Sequence, residues 1–281
     1  MIISRASYIV KIIFNYFGIE IMKYSTQKHL IETKNKYKNL SDAVGFLNHL
    51  SNQSLKNALK IVDLSKAQIQ QDIFVLALHD FKKKGYFVEF GATNGIDFSN
   101  TWLMERKYDW EGIVAEPSKQ WHNKLQYNRQ CHISDKCVWK TSNENLTFNE
   151  IQESGFSTID RFTSSDHHVK SRKNGSRYDV KTISLNDLLS YYNAPIEIDY
   201  LSIDTEGSEF EILSTLDFYK WDISIITVEH NFTDCRDKIK KLLEGNDYKR
   251  VLTTISQFDD WYVKSHLIDE VYKKFNLKAQ G

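Results

Sequence analysis

Apolar positions change period along the chain, and each change marks an element. From 41 to 81 they recur with helical spacing: Leu55, Leu59 and Val62 share one face, as do Ile69, Ile73, Ala77 and Phe81. Lys82, Lys83, Lys84 and Gly85 close that helical stretch with cations and a terminal glycine. Residues 86–90, Tyr-Phe-Val-Glu-Phe, then read as a short buried strand. Further strands are expected at 112–116, 131–133, 198–204 and 223–229, with helices at 98–107, 118–127, 208–216 and 233–244. Ser184 to Asp187 resembles a helix-capping box ahead of Leu188 and Leu189.

Apolar strands alternating with helices predict an α/β protein, a doubly wound, Rossmann-like parallel sheet covered on both faces. Residues 248–254 and 261–264 form a last pair of strands. Their connection is too short for a helical crossover, so this C-terminal pair must be an antiparallel hairpin. The expected organisation is an N-terminal helical segment, 1–81, followed by the sheet domain, 82–281. Residues 139–181 break the alternation. They form a polar insertion with one short strand near 146–148, a candidate substrate lid. Between 163 and 178 the insertion carries Lys170, Arg172, Lys173 and Arg177, with His167 and His168 beside them.

The 281 residues hold 37 Lys and Arg against 37 Asp and Glu, and a zero balance argues against nucleic acid as the main partner. Three cysteines without a CxxC spacing make neither a disulfide framework nor a zinc site, which points to a reducing, cytoplasmic setting. Near the N-terminus the longest uncharged run, 12–19, is eight residues, against the ~20 of a spanning helix. No small-x-small cleavage site follows, so a secretory signal is not expected. This segment reads as a helix docked on the protein, or as one lying on a membrane surface or a partner.

Ligands of an open parallel sheet bind outside the carboxyl ends of its strands, so the residues there are the candidates. After the first strand comes Glu89-Phe90-Gly91-Ala92-Thr93-Asn94-Gly95. Its glycines permit close backbone approach to a ligand, and Glu89 is expected to point towards a cationic or amine-bearing group. A tight structural turn with a capping acid would give the same residues. Glu116 ends the second strand, 21 residues beyond Gly95, where an acid can accept hydrogen bonds from both ribose hydroxyls of a nucleoside or act only as a solvated cap. Ser134, Asp135 and Cys137 follow the third strand, where an adenine edge would sit, or form a surface loop. Asp204-Thr205-Glu206-Gly207-Ser208-Glu209 and Glu229-His230 end the fourth and fifth strands. These acids could hold a divalent cation, supply a general base, or satisfy one another as caps.

The runs 87–95, 198–209 and Val228-Glu229, with the upstream Gln70-Gln71-Asp72, resemble the FkbM family of S-adenosylmethionine-dependent methyltransferases over roughly 65–264. The resemblance implies a seven-stranded sheet and a family of mostly O-methyltransferases acting on sugars, polyketides and other secondary metabolites. It implies that Gly91, Thr93, Asn94 and Gly95 surround the methionine part of the cofactor, with Glu89 at its ammonium and Glu116 at its ribose. Asp135 and Cys137 complete the expected cofactor set. Asp204 and Glu206 would face the methyl and the acceptor, with Glu206 or His230 as base. Asp204 and Glu229 would place the acceptor directly or through Mg²⁺. The family often has Asp where Glu89 stands, and His230 stands where related metal-dependent enzymes have a second acid. The basic segment of the insertion reads as a solvated loop, or as a contact for a phosphorylated or nucleotide-linked sugar acceptor in polysaccharide biosynthesis. Two rivals are a nicotinamide-dependent oxidoreductase, which needs a GxGxxG absent here, and a non-catalytic nucleoside-binding module.

Overall fold

The computed structural model describes residues 41–152, 155–164 and 169–277. Residues 1–40 of the expected N-terminal helical segment, and His167 and His168, lie outside the described residues. The chain divides into two units, Met1–Gly45, of which 41–45 are described and helical, and Phe46–Gly281.

The larger unit carries eleven strands among its described residues: β1 Tyr86–Phe90, β2 Glu111–Ala115, β3 His132–Ser134, β4 Cys137–Trp139, β5 Asn145–Glu150, β6 Thr158–Ile159, β7 Ser176–Ser184, β8 Glu197–Ile203, β9 Asp222–Glu229, β10 Tyr248–Val251 and β11 Asp259–Lys264. The main sheet has the order β10-β11-β9-β8-β1-β2-β3. Strands β3, β2, β1, β8 and β9 are mutually parallel, and β11 runs antiparallel to both β9 and β10. The expected hairpin is therefore present. The order reverses between β1 and β8, and the ends of these two strands open the crevice where such sheets bind ligands.

Both faces are buried, so successive residues feed different cores. Phe87, Val114, Tyr200 and Ile225 enter one apolar cluster, while Val88, Ile113, Leu201 and Ile226 enter the other. This double burial is why the parallel strands read as continuous apolar runs. Ser184 caps the helix Leu185–Tyr191 by accepting the Asp187 N–H at 3.1 Å, as its motif predicts.

Two expectations are corrected. Residue 82 does not begin a separate body. The fully buried helix Gln71–Leu78 packs into the same core as the sheet, with Phe74 stacked on Trp261 at 4.5 Å between ring centroids. The boundary lies at 45/46 instead. The insertion is also more ordered than its polarity implies. Strands β4-β7-β5-β6 make a second, four-stranded sheet around Trp139, Leu146, Phe148, Ile159 and Val180. Its strands bury residues intermittently, so most of their positions stay polar and the apolar signal is thin.

Phe74→Ala should cost about 3–5 kcal/mol in urea unfolding, as for other large aromatic truncations in a packed core. A fragment starting at residue 82, which lacks the whole helix, should show no cooperative transition by circular dichroism.

Candidate active site

Gly91, immediately after β1, has φ +78°, and a Cβ there would lie 2.0 Å from the Asp204 carbonyl oxygen. The loops after β1 and β8 thus meet backbone to backbone, which only glycine allows. Two residues on, Thr93 donates its N–H to Glu116 Oε2 at 2.8 Å, and Ser118 N–H donates to Oε1 at 2.8 Å. Glu116 is thereby fixed at the end of β2 with each oxygen still able to accept another donor. Burial raises its pKa to about 7 against the opposing pull of these two N–H groups.

These residues border a cavity of about 380 Å³ that also reaches Asp204, Glu206 and Glu229. The volume suits a small-molecule ligand. Its described walls hold four acids and no Lys, Arg or His. Oxygens of Asp204, Glu206 and Glu229 lie within 4.8 Å of one another. Burial, then the facing Asp204 and Glu206 charges, push Glu229 well above the carboxylate range. Burial also raises Asp204, to about 7, although a hydrogen bond from Glu229 relieves it. The two acids therefore share a proton at neutral pH.

The last acid of the Asp-x-Glu-Gly-x-Glu run has a different task. Glu209 Oε1 accepts from Thr205 N–H, Thr205 Oγ1 and Gly207 N–H at 2.9–3.0 Å, pinning the turn between β8 and the helix Glu209–Leu213. That turn places Glu206, at φ +59°, against the cavity. Arg172 Nη2 donates to Glu206 Oε2 at 2.6 Å, and both side chains are buried.

Several expected site residues face elsewhere. The Glu89 carboxylate accepts from Ser99 Oγ, Asn100 N–H, Thr101 Oγ1 and Arg129 Nη1 at 2.6–3.2 Å, and it is not in the cavity wall. It fixes the 99–101 loop, and the strand-end acids that line the cavity beside it are Asp204 and Glu229. Gly95 makes room for packing, since a Cβ would fall 2.7 Å from Arg129 Cγ and 2.8 Å from Leu125 Cδ1. Asn94 organises its own turn by accepting the Ile96 and Asp97 N–H groups, and Asp135 is exposed outside the wall. Cys137 does line the cavity, where burial pushes its thiol to about 12 and leaves it inert.

His230 does not reach the cavity either. Its Nδ1 accepts the Phe232 N–H at 3.0 Å, and Nε2 lies 3.8 Å from Asp260 Oδ1. Burial lowers its pKa, so the neutral ring carries its proton on Nε2, facing Asp260. Adjacent residues leaving an extended strand project to opposite sides, so with Glu229 in the cavity wall, His230 turns away.

The three carboxylates expected near a metal do come together, and an oxygen triad suits a hard cation in kind, while one member, Glu206, also binds the Arg172 guanidinium. Arg172 and Arg177, expected near an acceptor phosphate, pair instead with Glu206 and Asp160.

Gln68, Phe98, Trp121, Phe148, Phe156 and Ile159, to which sequence reasoning assigns no site role, are also in the walls. One signal was available in the Gln70-Gln71-Asp72 run. Gln71 Nε2 donates to Asp259 Oδ2 at 2.8 Å and its Oε1 accepts the Ile69 N–H, which anchors the loop carrying Gln68. The apolar contributors sit in loops or on the inserted sheet, where they resemble ordinary core residues.

A model of the methyltransferase FkbM domain matches residues 89–263. No curated protein matches the chain. Among solved structures, it resembles a methyltransferase FkbM from Methylobacillus flagellatus KT at 12% identity, covering 80% of this chain and 59% of that one with a TM-score of 0.40. A precorrin-6y C5,15-methyltransferase from Geobacter metallireducens GS-15 aligns at 10% identity, over 64% of this chain and 71% of that one, with a TM-score of 0.34. The CurJ carbon methyltransferase aligns at 11% identity, over 85% and 70%, with a TM-score of 0.34. Among the described residues no helix is long and apolar enough to cross a membrane.

The raised pKa of Asp204 makes a stability prediction. The folded protein holds a proton at this site up to about pH 7, while an unfolded Asp releases it near its ordinary value of 3.8. Stability from this site therefore falls as pH rises from about 4 to 7 and stays reduced above that. Asp204→Asn removes the loss. The melting temperature of ligand-free Asp204→Asn minus that of wild type should grow between pH 5 and 8, by roughly 2–4 °C for each kcal/mol.

Proposed function

The chain belongs to the FkbM methyltransferase family, and on that premise we propose that it O-methylates a sugar hydroxyl in glycan or secondary-metabolite biosynthesis. The cofactor of that family is S-adenosylmethionine, which supplies a methyl group activated on a sulfonium. The observation that carries the reading is the cavity at the β1/β8 reversal. There Gly91 leaves no side chain in the way, and the described wall carries four acids and no Lys, Arg or His. A cationic nucleoside fits that donor set. Glu116 would accept from the ribose hydroxyls, Gly91 and Thr93 would border the methionine part, and Cys137 would lie along the base. Asp204 and Glu229 would face the positive charge.

Methyl transfer needs the acceptor oxygen about 3–3.5 Å from the methyl and its proton taken or shared. Among the cavity acids Asp204 is the best matched base, because a pKa of about 7 combines an available carboxylate with real proton affinity at neutral pH. Glu206, tied to Arg172, is suited to orienting the acceptor. The Phe148, Phe156 and Ile159 side chains offer an apolar wall that excludes water. Since Arg172 and Arg177 both have carboxylate partners and the described wall carries no cation, a bare sugar is favoured over a phosphorylated or nucleotide-linked one. The acceptor is a small molecule rather than nucleic acid.

Calorimetry should find binding of S-adenosylhomocysteine and none of NAD; the reverse would support an oxidoreductase, and neither would support a non-catalytic module. Glu116→Ala should weaken S-adenosylhomocysteine about tenfold, the loss of hydrogen bonds to a charged acceptor group. With labelled cofactor and a polar metabolite extract as acceptor source, Asp204→Asn should lower turnover at saturating cofactor by about 10²–10⁴. EDTA should leave the rate unchanged, and a lost rate would restore a metal to the mechanism.

A further inference from the structure

Arg172 ends the short helix Val169–Arg172 of the inserted sheet region and is fully buried. Among the described residues its guanidinium reaches acceptors in both the insertion and the main sheet. Nε donates to the Phe156 carbonyl at 2.8 Å and Nη1 to the Phe162 carbonyl at 3.4 Å, both within the insertion. Nη2 donates to Glu206 Oε2 at 2.6 Å, on the turn after β8 of the main sheet. Alongside, Thr158 Oγ1 donates to the Glu206 carbonyl at 2.8 Å. The segment held this way supplies Phe156, Ser157 and Ile159 to the cavity wall.

The arginine is itself fixed from behind. Asn149 Nδ2 donates to the Arg172 carbonyl and to Thr163 Oγ1, each at 3.0 Å. Gly175 passes so close that a Cβ there would lie 1.8 Å from Asn149 Oδ1. A planar fork with fixed donors can serve three acceptors at once, which a lysine cannot do.

We propose that Arg172 is a positioning residue of the methyl-transfer site. Its guanidinium holds the Glu206 carboxylate in the cavity and, through the same fork, seats the inserted sheet as the cavity's second wall. This rests on the methyltransferase reading only for what the cavity binds. The coupling of the inserted wall to Glu206 belongs to the ligand-free protein.

Two measurements test it. Hydrogen exchange on ligand-free protein should show residues 155–163 losing at least tenfold protection in Arg172→Met, with part of the loss recovered in Arg172→Lys. Arg177→Ala, which breaks an exposed pair of the same insertion, should leave that protection unchanged. Wild-type protection in Arg172→Met would overturn the proposal, whatever the cofactor proves to be. The second variant, Glu206→Gln, keeps side-chain size but removes the negative charge that the guanidinium holds at the cavity. Affinity for cationic S-adenosylmethionine should then fall about tenfold more than affinity for the uncharged thioether S-adenosylhomocysteine. An unchanged ratio would also overturn the proposal. Wild-type protein that binds neither compound would instead refute the methyltransferase reading and leave the exchange result to decide the role of Arg172.

Discussion

Parallel strands that end side by side bring their terminal residues together, and here those residues are acids. The order β9-β8-β1-β2 puts Glu229, Asp204, Glu89 and Glu116 along one edge of the sheet, all partly or fully buried. So many carboxylates without compensation would destabilise the fold. Each is compensated differently. Glu89 has a buried arginine, Glu116 has two backbone N–H groups, and Asp204 and Glu229 share a proton. Glu206, added by the turn after β8, has Arg172.

That division sorts structural acids from those left for chemistry. Glu89 and Arg129 close over each other beneath the Gly95 turn, joined by Glu105, whose Oε2 accepts from Arg129 Nε at 2.6 Å. They stabilise the loop that shapes the cavity without entering it. Asp204 and Glu229 have no fixed cation among their described neighbours, so their compensation is the weakest and the most easily replaced by a ligand's positive charge. The site is thus less stable empty than filled, the usual relation between a binding site and its fold.

The inserted sheet extends the same logic beyond the main sheet. Its polarity makes it look like a mobile surface segment, and its arginines look like anion binders. Folded, it buries Trp139 and Phe148 in a small core of its own and delivers Arg172 to Glu206. A charge that appears solvated in sequence is here a buried tie between two sheets. Glu150 reinforces the contact by accepting from Ser118 Oγ and Tyr178 Oη, each at 2.7 Å, which joins the insertion to the turn after β2.

Periodicity alone was enough for the main sheet, because strands buried on both faces must be apolar throughout and helices between them must repeat at 3.6 residues. It was enough for the strand-end loops too, and so for Gly91, Glu116, Asp204, Glu206 and Glu229 in the cavity wall. It could not say which way Glu89 and His230 point. Each lies one residue from a position facing the other way, and its partner, Arg129 or Asp260, is distant in sequence. How the helix before residue 82 and the insertion pack cannot be read from sequence for the same reason. Burial there depends on contacts such as Phe74 with Trp261 and Arg172 with Glu206, which exist only once the chain has folded.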